Sequence, residues 1–522
     1  MRKWLAGLFG GRPRDPRELL ADASARFERA DWPGAVAAFR RALEAEPANA
    51  DGWNKLGFAY KELGEMVEAS RCFQRTVELA PRSVGAVCNA ASAQRDLGHV
   101  EEALELLRTA RQLAPGDLDV LSARLFTLNF SVRASRAEVF REHIECERLL
   151  GTAAPRPARR TPDGKLRIGY LSPDFRFHAV SCFVAPLLEH HDRSRFEIAC
   201  YYLHPRHDTT TSRLMSLADH WIDCAGMDPA ELAAEIRSDE IDLLVDLAGH
   251  TDWNALRTLA QRPAPVIATW LGYLNTTGLK AVDYRITDAV SDPPGATERF
   301  HSEKLVRLPG SQWCREKPLE GPAVSPPPAR RAGAVRFGSF NKAAKLTADS
   351  LALWAAMLAA LPEASLLLVG VEESQREDIR RVFVPQGSAP GRLDFAGRVP
   401  LEEFRALHGS VDIALDSHPY SGATTTLDSL WMGVPVLTLA SEEPMSRSSA
   451  SILAALDMRA WIAASRQEFV QAAVRHANDL GTLAALRAGL RERLERSILM
   501  DGARFTRELE AAYCRMWEET PA

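Results

Sequence analysis

Pro47, Pro81 and Pro115 stand 34 residues apart, and two further sets keep the same step: Ala35, Ala69 and Ala103, then Phe39, Phe73 and Leu107. A period of this length holds two helices and their turns, so agreement of three registers predicts stacked helix pairs rather than a sheet or a single closed core. The small residue lets paired helices approach, the large apolar one fills the space between them, and the proline ends each unit because it cannot continue a helix. The units fall at residues 16–49, 50–83 and 84–117.

The middle copy carries the tetratricopeptide pattern in Trp53, Leu56, Gly57, Tyr60, Gly64, Ala69, Phe73 and Pro81. The first copy is degenerate, with Leu19, Asp22 and Ala23 at the Trp, Leu and Gly positions, as suits an end cap with a more polar outer face. Helical spacing continues through Leu118 to Phe130 and Ala137 to Leu150, which extends the predicted all-α region, with its connecting helices, over residues 16–150.

Past the Pro-rich basic stretch from Gly151 to Gly164, apolar runs alternate with helical patterns. Leu166 to Leu171, Phe196 to Leu203, Ile241 to Leu247 and Pro265 to Trp270 read as strands. Ser181 to His190, Pro229 to Ser238 and Trp253 to Gln261 read as helices. A second linker, Gly321 to Arg331, precedes a restart at Val335 to Phe340, Ala348 to Leu361, Ser365 to Val369, Leu393 to Phe395, Val411 to Leu415 and Val436 to Leu439. Two α/β halves, 165–320 and 333–522, are predicted, with parallel sheets and a cleft between them. A closing helical stretch, Leu483 to Met516, could lie across either half. A length of 522 residues accommodates this many parts. The net charge of −5 gives no footprint of nucleic-acid or membrane-surface binding, and no run approaches a membrane span. Eight scattered cysteines without C-x-x-C pairs fit a reducing, cytoplasmic setting with no metal site. The start, Met1 to Gly10, is basic with a short apolar run and reads as a frayed tail rather than a secretion signal.

Polar residues cluster where strands end. His178 follows the first strand of the first half, and His250 follows Ile241 to Leu247, so both are candidates for acid/base work or substrate binding. In the second half Asn341, Lys342 and Lys345 leave the first strand. Thr424, Thr425 and Thr426 open a helix after a glycine turn. Unpartnered N–H groups of a helix start attract anions, phosphates above all, and adjacent lysines suit a departing diphosphate. No D-x-D pair lies near this seat, so its charge could be held without a divalent ion.

These residues carry a resemblance. Gly169-Tyr-Leu-Ser-Pro-Asp-Phe-x-x-His178, Arg262-Pro-Ala-Pro-Val, Trp270-Leu-Gly-Tyr273, Phe340-Asn-x-x-x-Lys345, Thr424 to Asp428 with Leu430-Trp-x-Gly-x-Pro435, and Ser446-Arg447 resemble the O-linked N-acetylglucosamine transferase and SPINDLY family of tetratricopeptide-containing protein O-glycosyltransferases, on its plant SPINDLY and bacterial side. The resemblance implies an all-α tetratricopeptide superhelix followed by a GT-B fold of two Rossmann-like halves. It implies inverting, metal-independent transfer from a nucleotide sugar, UDP-GlcNAc or a related donor, to Ser or Thr hydroxyls of a protein acceptor held by the array, with no cofactor. By the same resemblance Lys345 meets the diphosphate, Thr424 and Thr425 its helix end, Asp428 the ribose, and His178 the sugar and acceptor as base or positioning group. Ala423 replaces a histidine of the animal pattern, Phe404 stands where a base-covering histidine is expected, and Tyr420 stands near the sugar's N-acyl position. Two alternatives stay open: a tetratricopeptide binding scaffold with a vestigial transferase region, and a GT-B enzyme acting on a small sugar or lipid.

Overall fold

The computed structural model describes residues 15–151, 154–160, 164–318, 322–386 and 390–521. The basic apolar start, at residues 1–14, lies outside the described residues, as do short parts of both linkers. Contacts divide the chain into two compact units, one reaching Pro115 and including Glu372–Arg376, the other comprising residues 116–371 and 377–522.

The first unit is three helix pairs: α1 (Pro16–Glu28) with α2 (Trp32–Ala45), α3 (Ala50–Leu63) with α4 (Met66–Leu79), and α5 (Val84–Asp96) with α6 (Val100–Leu113). The periodic positions form its core, with Ala35, Ala69 and Ala103 inaccessible and Phe39, Phe73 and Leu107 buried. Gly57 is required by close approach, since a Cβ there would come within 2.7 Å of the Phe73 ring. A second device shares the period. Asn49 and Ser83, each two residues beyond a repeat proline, accept hydrogen bonds from first-turn amides of α3 and α5, and Asp117 does the same for the next helix.

That next helix, α7 (Leu118–Leu128), and α8 (Arg136–Leu150) belong to the second unit. The grouping of 118–150 with the repeats therefore gives way to tertiary packing. The Arg124 guanidinium pairs with Glu142 at 2.6 Å between the two helices, and His143 of α8 bonds the Tyr273 hydroxyl at 2.7 Å.

The rest of this unit holds two wholly parallel sheets. The first comprises β1 (Leu166–Ser172), β2 (Phe196–Tyr202), β3 (His220–Asp223), β4 (Leu243–Asp246), β5 (Val266–Thr269), β6 (Tyr284–Asp288) and β7 (Lys304–Leu308), in the order β3-β2-β1-β4-β5-β6-β7. The second comprises β8 (Arg336–Ser339), β9 (Ser365–Val369), β10 (Leu393–Ala396), β11 (Ile413–Leu415), β12 (Val436–Leu439) and β13 (Ile462–Ala463), in the order β10-β9-β8-β11-β12-β13. Strand order reverses once in each sheet, between β1 and β4 and between β8 and β11. Loops leaving such neighbouring strands diverge and open a crevice at their carboxyl ends.

Three expectations are corrected. The helix expected over Trp253 to Gln261 shrinks to Leu256–Leu259, because Trp253 and Arg262 take left-handed backbone conformations, φ 60° and 51°. The closing stretch is two helices, Leu480–Glu495 and Gly502–Glu519. The second leaves the 333–522 half and packs on the first sheet's side. There the Tyr513 hydroxyl lies 3.0 Å from that of Tyr170, and Glu510 accepts from His191 Nδ1 at 2.9 Å and from the Asp192 amide at 2.8 Å.

Candidate active site

The second sheet's reversal point is built around a buried carboxylate. Asp416, directly after β11, accepts hydrogen bonds from the Ser417 and Gly422 amides, each at 2.9 Å, and from the Thr438 hydroxyl at 2.7 Å. Those bonds fold residues 416–423 into a tight loop. The loop is anchored outward as Ser421 Oγ donates to the Met445 carbonyl at 2.7 Å and accepts from the Ser448 amide at 3.0 Å.

The helix Thr424–Trp431 starts from this loop with Ala423 as its first flanking residue and no side-chain cap. Its first-turn N–H groups therefore lack the acceptor that a Ser, Asp or Asn would supply. The three threonines part company. Thr426 is buried with its hydroxyl 2.7 Å from that of Ser449, and Thr425 donates to Asn341 Oδ1 at 3.0 Å. Of the three, Thr426 is thus a packing residue rather than a ligand. Gly422 closes the cradle: a Cβ there would fall 2.1 Å from Thr425 Oγ1 and 2.7 Å from Asn341 Oδ1.

Lys345 reaches the same place from the loop after β8. Its Nζ donates to the Ser421 carbonyl at 2.8 Å and lies 4.5 Å from the centre of the Tyr420 ring. Burial pushes its pKa down to about 8, with Lys342 adding to the shift and Asp416 opposing it. A half-buried ammonium whose visible acceptors are one carbonyl and one ring face is poised for a stronger anion. Tyr420 also stacks on Phe130, at 4.7 Å and 23°. Phe130, just beyond α7, escaped sequence reasoning because its segment was read as a connector.

His178 stands at the first sheet's reversal point as the flanking residue of the helix Ala179–His190. Its Nδ1 accepts from the Val180 amide at 3.3 Å and lies 3.4 Å from Asp174 Oδ2. Burial lowers the imidazole pKa to about 3, with Lys342 and Arg176 adding to it, and burial raises Asp174 to about 6. The ring is neutral at pH 7. With Nδ1 accepting from Val180, its proton sits on Nε2, so the ring as placed offers the cleft a donor. The influence of Lys342 on both groups brings the second half's lysine loop to the first half's acid and histidine.

His250 has another setting. It is 2% exposed, its Nδ1 lies 3.0 Å from Ser122 Oγ of α7, and its Nε2 lies 2.8 Å from the Thr277 carbonyl. The rings of His143 and Tyr273 pack edge-on at 5.4 and 5.1 Å. Both ring nitrogens are occupied, and burial pushes the pKa down to about 3. The catalytic expectation for His250 is therefore corrected: it ties the β4 loop to α7.

Asp428, expected at a ribose, accepts from Arg315 Nη1 at 2.8 Å. Arg315 follows the last strand of the first half, so this pair bridges the halves; no motif marked it. Arg447 bridges them too, donating to the Val290 carbonyl at 2.6 Å and to the Ser441 carbonyl at 2.8 Å. Phe404 packs edge-on against Phe340 at 5.7 Å, and Phe340 stacks on His408 at 3.6 Å and 8°. This aromatic group immediately precedes Asn341. Among the described residues no three His, Cys, Asp or Glu side chains group to hold a metal ion, and no helix is long and apolar enough to cross a membrane.

This arrangement has known counterparts. The profile of glycosyl transferase family 41 matches residues 134–316 and 330–509. The chain belongs to this family. Family 41 thus includes α8, in line with its packing, while tetratricopeptide profiles match residues 23–64 and 50–83. The "Probable UDP-N-acetylglucosamine--peptide N-acetylglucosaminyltransferase SPINDLY" of Solanum lycopersicum is 37% identical over 406 residues, which are 76% of this chain and 44% of that protein. The protein of the same description from Arabidopsis thaliana is 39% identical over 372 residues, 69% of this chain and 40% of the relative. The chain thus spans less than half the length of these curated relatives. A solved structure of a mutant Thermobaculum terrenum O-GlcNAc transferase is 34% identical, covers 97% of this chain and 98% of its own, and superposes with a TM-score of 0.90. The family 41 assignment and this superposition agree with the tetratricopeptide array followed by two parallel-sheet halves.

Proposed function

We propose that this family 41 chain is an inverting protein O-glycosyltransferase that moves a sugar from UDP-GlcNAc or a related nucleotide sugar to Ser or Thr hydroxyls of a protein acceptor. The observation that carries this reading is the facing of two reversal points. One offers a lysine beside an uncapped helix start, and the other a neutral histidine. The departing diphosphate would gather charge against Lys345 and the amides of Thr424 and Thr425, which are fixed before the reaction begins. No divalent ion is required in this proposal. The acceptor hydroxyl would approach from the His178 side, opposite the leaving group, which inverts the anomeric centre.

His178 as placed would donate Nε2–H to a sugar or acceptor oxygen and position it. Transfer of the ring proton to Nδ1, toward Asp174, would instead free Nε2 to take the hydroxyl's proton. The repeats give the acceptor chain a surface, the ordinary use of such arrays. Support for the donor comes from the names of the SPINDLY relatives and of the Thermobaculum enzyme, which specify UDP-N-acetylglucosamine or O-GlcNAc.

The test is incubation of the full chain with a panel of UDP- and GDP-sugars and Ser/Thr-containing polypeptides, with EDTA present throughout. Released nucleoside diphosphate and added mass are the readouts. Turnover of at least one sugar with transfer to a hydroxyl is expected. Absence of both across the panel refutes the reading.

A further inference from the structure

Phe130 lies between the residues matched by the tetratricopeptide profiles and residue 134, where the family 41 match begins, so neither pattern gives it a role. It is 5% exposed and firmly seated. Its amide donates to the Thr127 carbonyl at 3.0 Å, just past the end of α7, and its ring meets Phe126 edge-on at 5.5 Å. The neighbouring Asn129 accepts from Asn275 Nδ2 at 3.2 Å, which ties this segment to the loop between β5 and β6. From that seat the Phe130 ring stacks on Tyr420 at 4.7 Å and 23°, and the Lys345 ammonium lies over the same Tyr420 ring, 4.5 Å from its centre. The Tyr420 backbone is held separately, its carbonyl accepting from Ser417 Oγ at 2.7 Å. What Phe130 contributes is therefore the placement of the ring.

From this geometry we infer that Phe130 is a positioning residue for the proposed transfer: by fixing the Tyr420 ring it keeps water from the Lys345 ammonium and holds that charge where the diphosphate departs. The inference rests on the transferase reading. An ammonium on a flexible four-carbon stem is not placed by its own shape. Here it is placed by the Ser421 carbonyl at 2.8 Å and by the ring. A loose ring would admit water, which screens the charge, whereas a fixed ring lets the charge act in a low dielectric without rearrangement during the reaction. The ring face also attracts the cation and so favours the protonated form. Burial outweighs that attraction, since the Lys345 pKa is pushed down to about 8, with Lys342 adding to the shift and Asp416 opposing it. Burial pushes the Tyr420 hydroxyl up to about 12, so it stays protonated while Lys345 titrates.

The probe is the ligand-free full chain with carbon-labelled lysines, followed by NMR as pH rises, the Lys345 resonance being assigned by its loss in Lys345→Arg. Transfer is measured in parallel with the sugar that the panel identifies. In the wild type the Lys345 resonance should titrate near pH 8. Phe130→Ala should move that titration up by about one pH unit, toward the value of a hydrated lysine, because it uncovers the charge. The same variant should lower kcat/KM for the donor by about tenfold and carry the alkaline limb of kcat/KM upward with the resonance. Phe130→Leu keeps more bulk without a flat face and should move the titration the same way by less; it carries the test if the alanine variant does not fold. Tyr420→Ala should move the titration at least as far as Phe130→Ala, and combining the two should move it no further, since the effect passes through the ring. An unmoved Lys345 titration in the Phe130 variants, or a double variant whose shift is the sum of the two single ones, overturns the inference while sparing the transferase reading, even where activity falls. No turnover of any sugar by the wild-type protein overturns both.

Discussion

Replacing Lys345 with methionine should stabilise the ligand-free protein while abolishing turnover. Burial above all pushes the lysine pKa in the fold down to about 8, from an ordinary value of 10.5. Each pK unit is worth about 1.4 kcal/mol, so holding the charge costs the fold up to ~3 kcal/mol, less the part that solvent screens. Methionine matches the length without the charge and forfeits the hydrogen bond to the Ser421 carbonyl, worth about 1 kcal/mol. A net gain of ~2 kcal/mol follows for Lys345→Met at neutral pH. The pH dependence fixes the sign. Because the folded pKa is depressed, the wild-type cost is present in full below about 8, shrinks as pH rises toward 10.5, and is gone above it. Urea unfolding of both proteins at several pH values checks this, and saturating UDP should narrow or reverse the order, since a bound diphosphate compensates the charge only in the wild type. A variant less stable than wild type at pH 7, or a stability difference that does not fall above pH 8, refutes the reasoning.

The same group predicts a pH profile: kcat/KM for the donor should be level below about 8 and fall above it as Lys345 loses its proton, and Lys345→Arg should erase that limb. Gly422→Ala should leave the protein folded but lower kcat/KM by about a hundredfold, because its Cβ displaces Thr425 and Asn341 from the helix start; a donor-binding isotherm and kinetics like those of wild type count against the cradle. His178→Gln keeps a side-chain N–H and loses a base, so retention of about a tenth or more of the activity favours positioning, and a loss of about a thousandfold favours proton abstraction. His250→Ala should cost about 2–4 kcal/mol in unfolding free energy through two lost buried hydrogen bonds and a cavity, with kcat per folded molecule retained; the opposite pattern returns His250 to the chemistry.

Much of this fold was legible because its cores are periodic. A step of 34 residues placed the three helix pairs, and buried apolar runs placed β1, β2, β4 and β5 and five strands of the second sheet. The missed strands lack that signal. In β6, Tyr-Arg-Ile-Thr-Asp, Arg285 and Asp288 are buried, and no hydropathy pattern anticipates that. β7 and β3 carry charges at the sheet edges, and β13 is two residues long. At the site, Lys345 and the Thr424 helix were legible because turn chemistry and helix starts are local. Arg315 and Phe130 were not, for each matters through a partner distant in sequence, Asp428 and Tyr420 respectively.

The two histidines show where local inference ends. His178 and His250 follow adjacent strands, β1 and β4, each leaving the carboxyl end at the same reversal point, and by strand-end chemistry they are equivalent. What separates them is cover. Over the β4 loop lie α7 and α8, which bring Ser122, His143 and Cys146 to the His250 ring, so burial there is complete and every ring nitrogen is spent. No helix from that pair spends the ring of His178: its Nδ1 faces only the Val180 amide and Asp174, and its side chain remains one-third exposed. A histidine can exchange protons or hydrogen bonds with a substrate only through a nitrogen the fold leaves unspent, so the assignment of roles is made by 118–150. Those helices follow the repeats in sequence and pack over the β4 loop of the second unit.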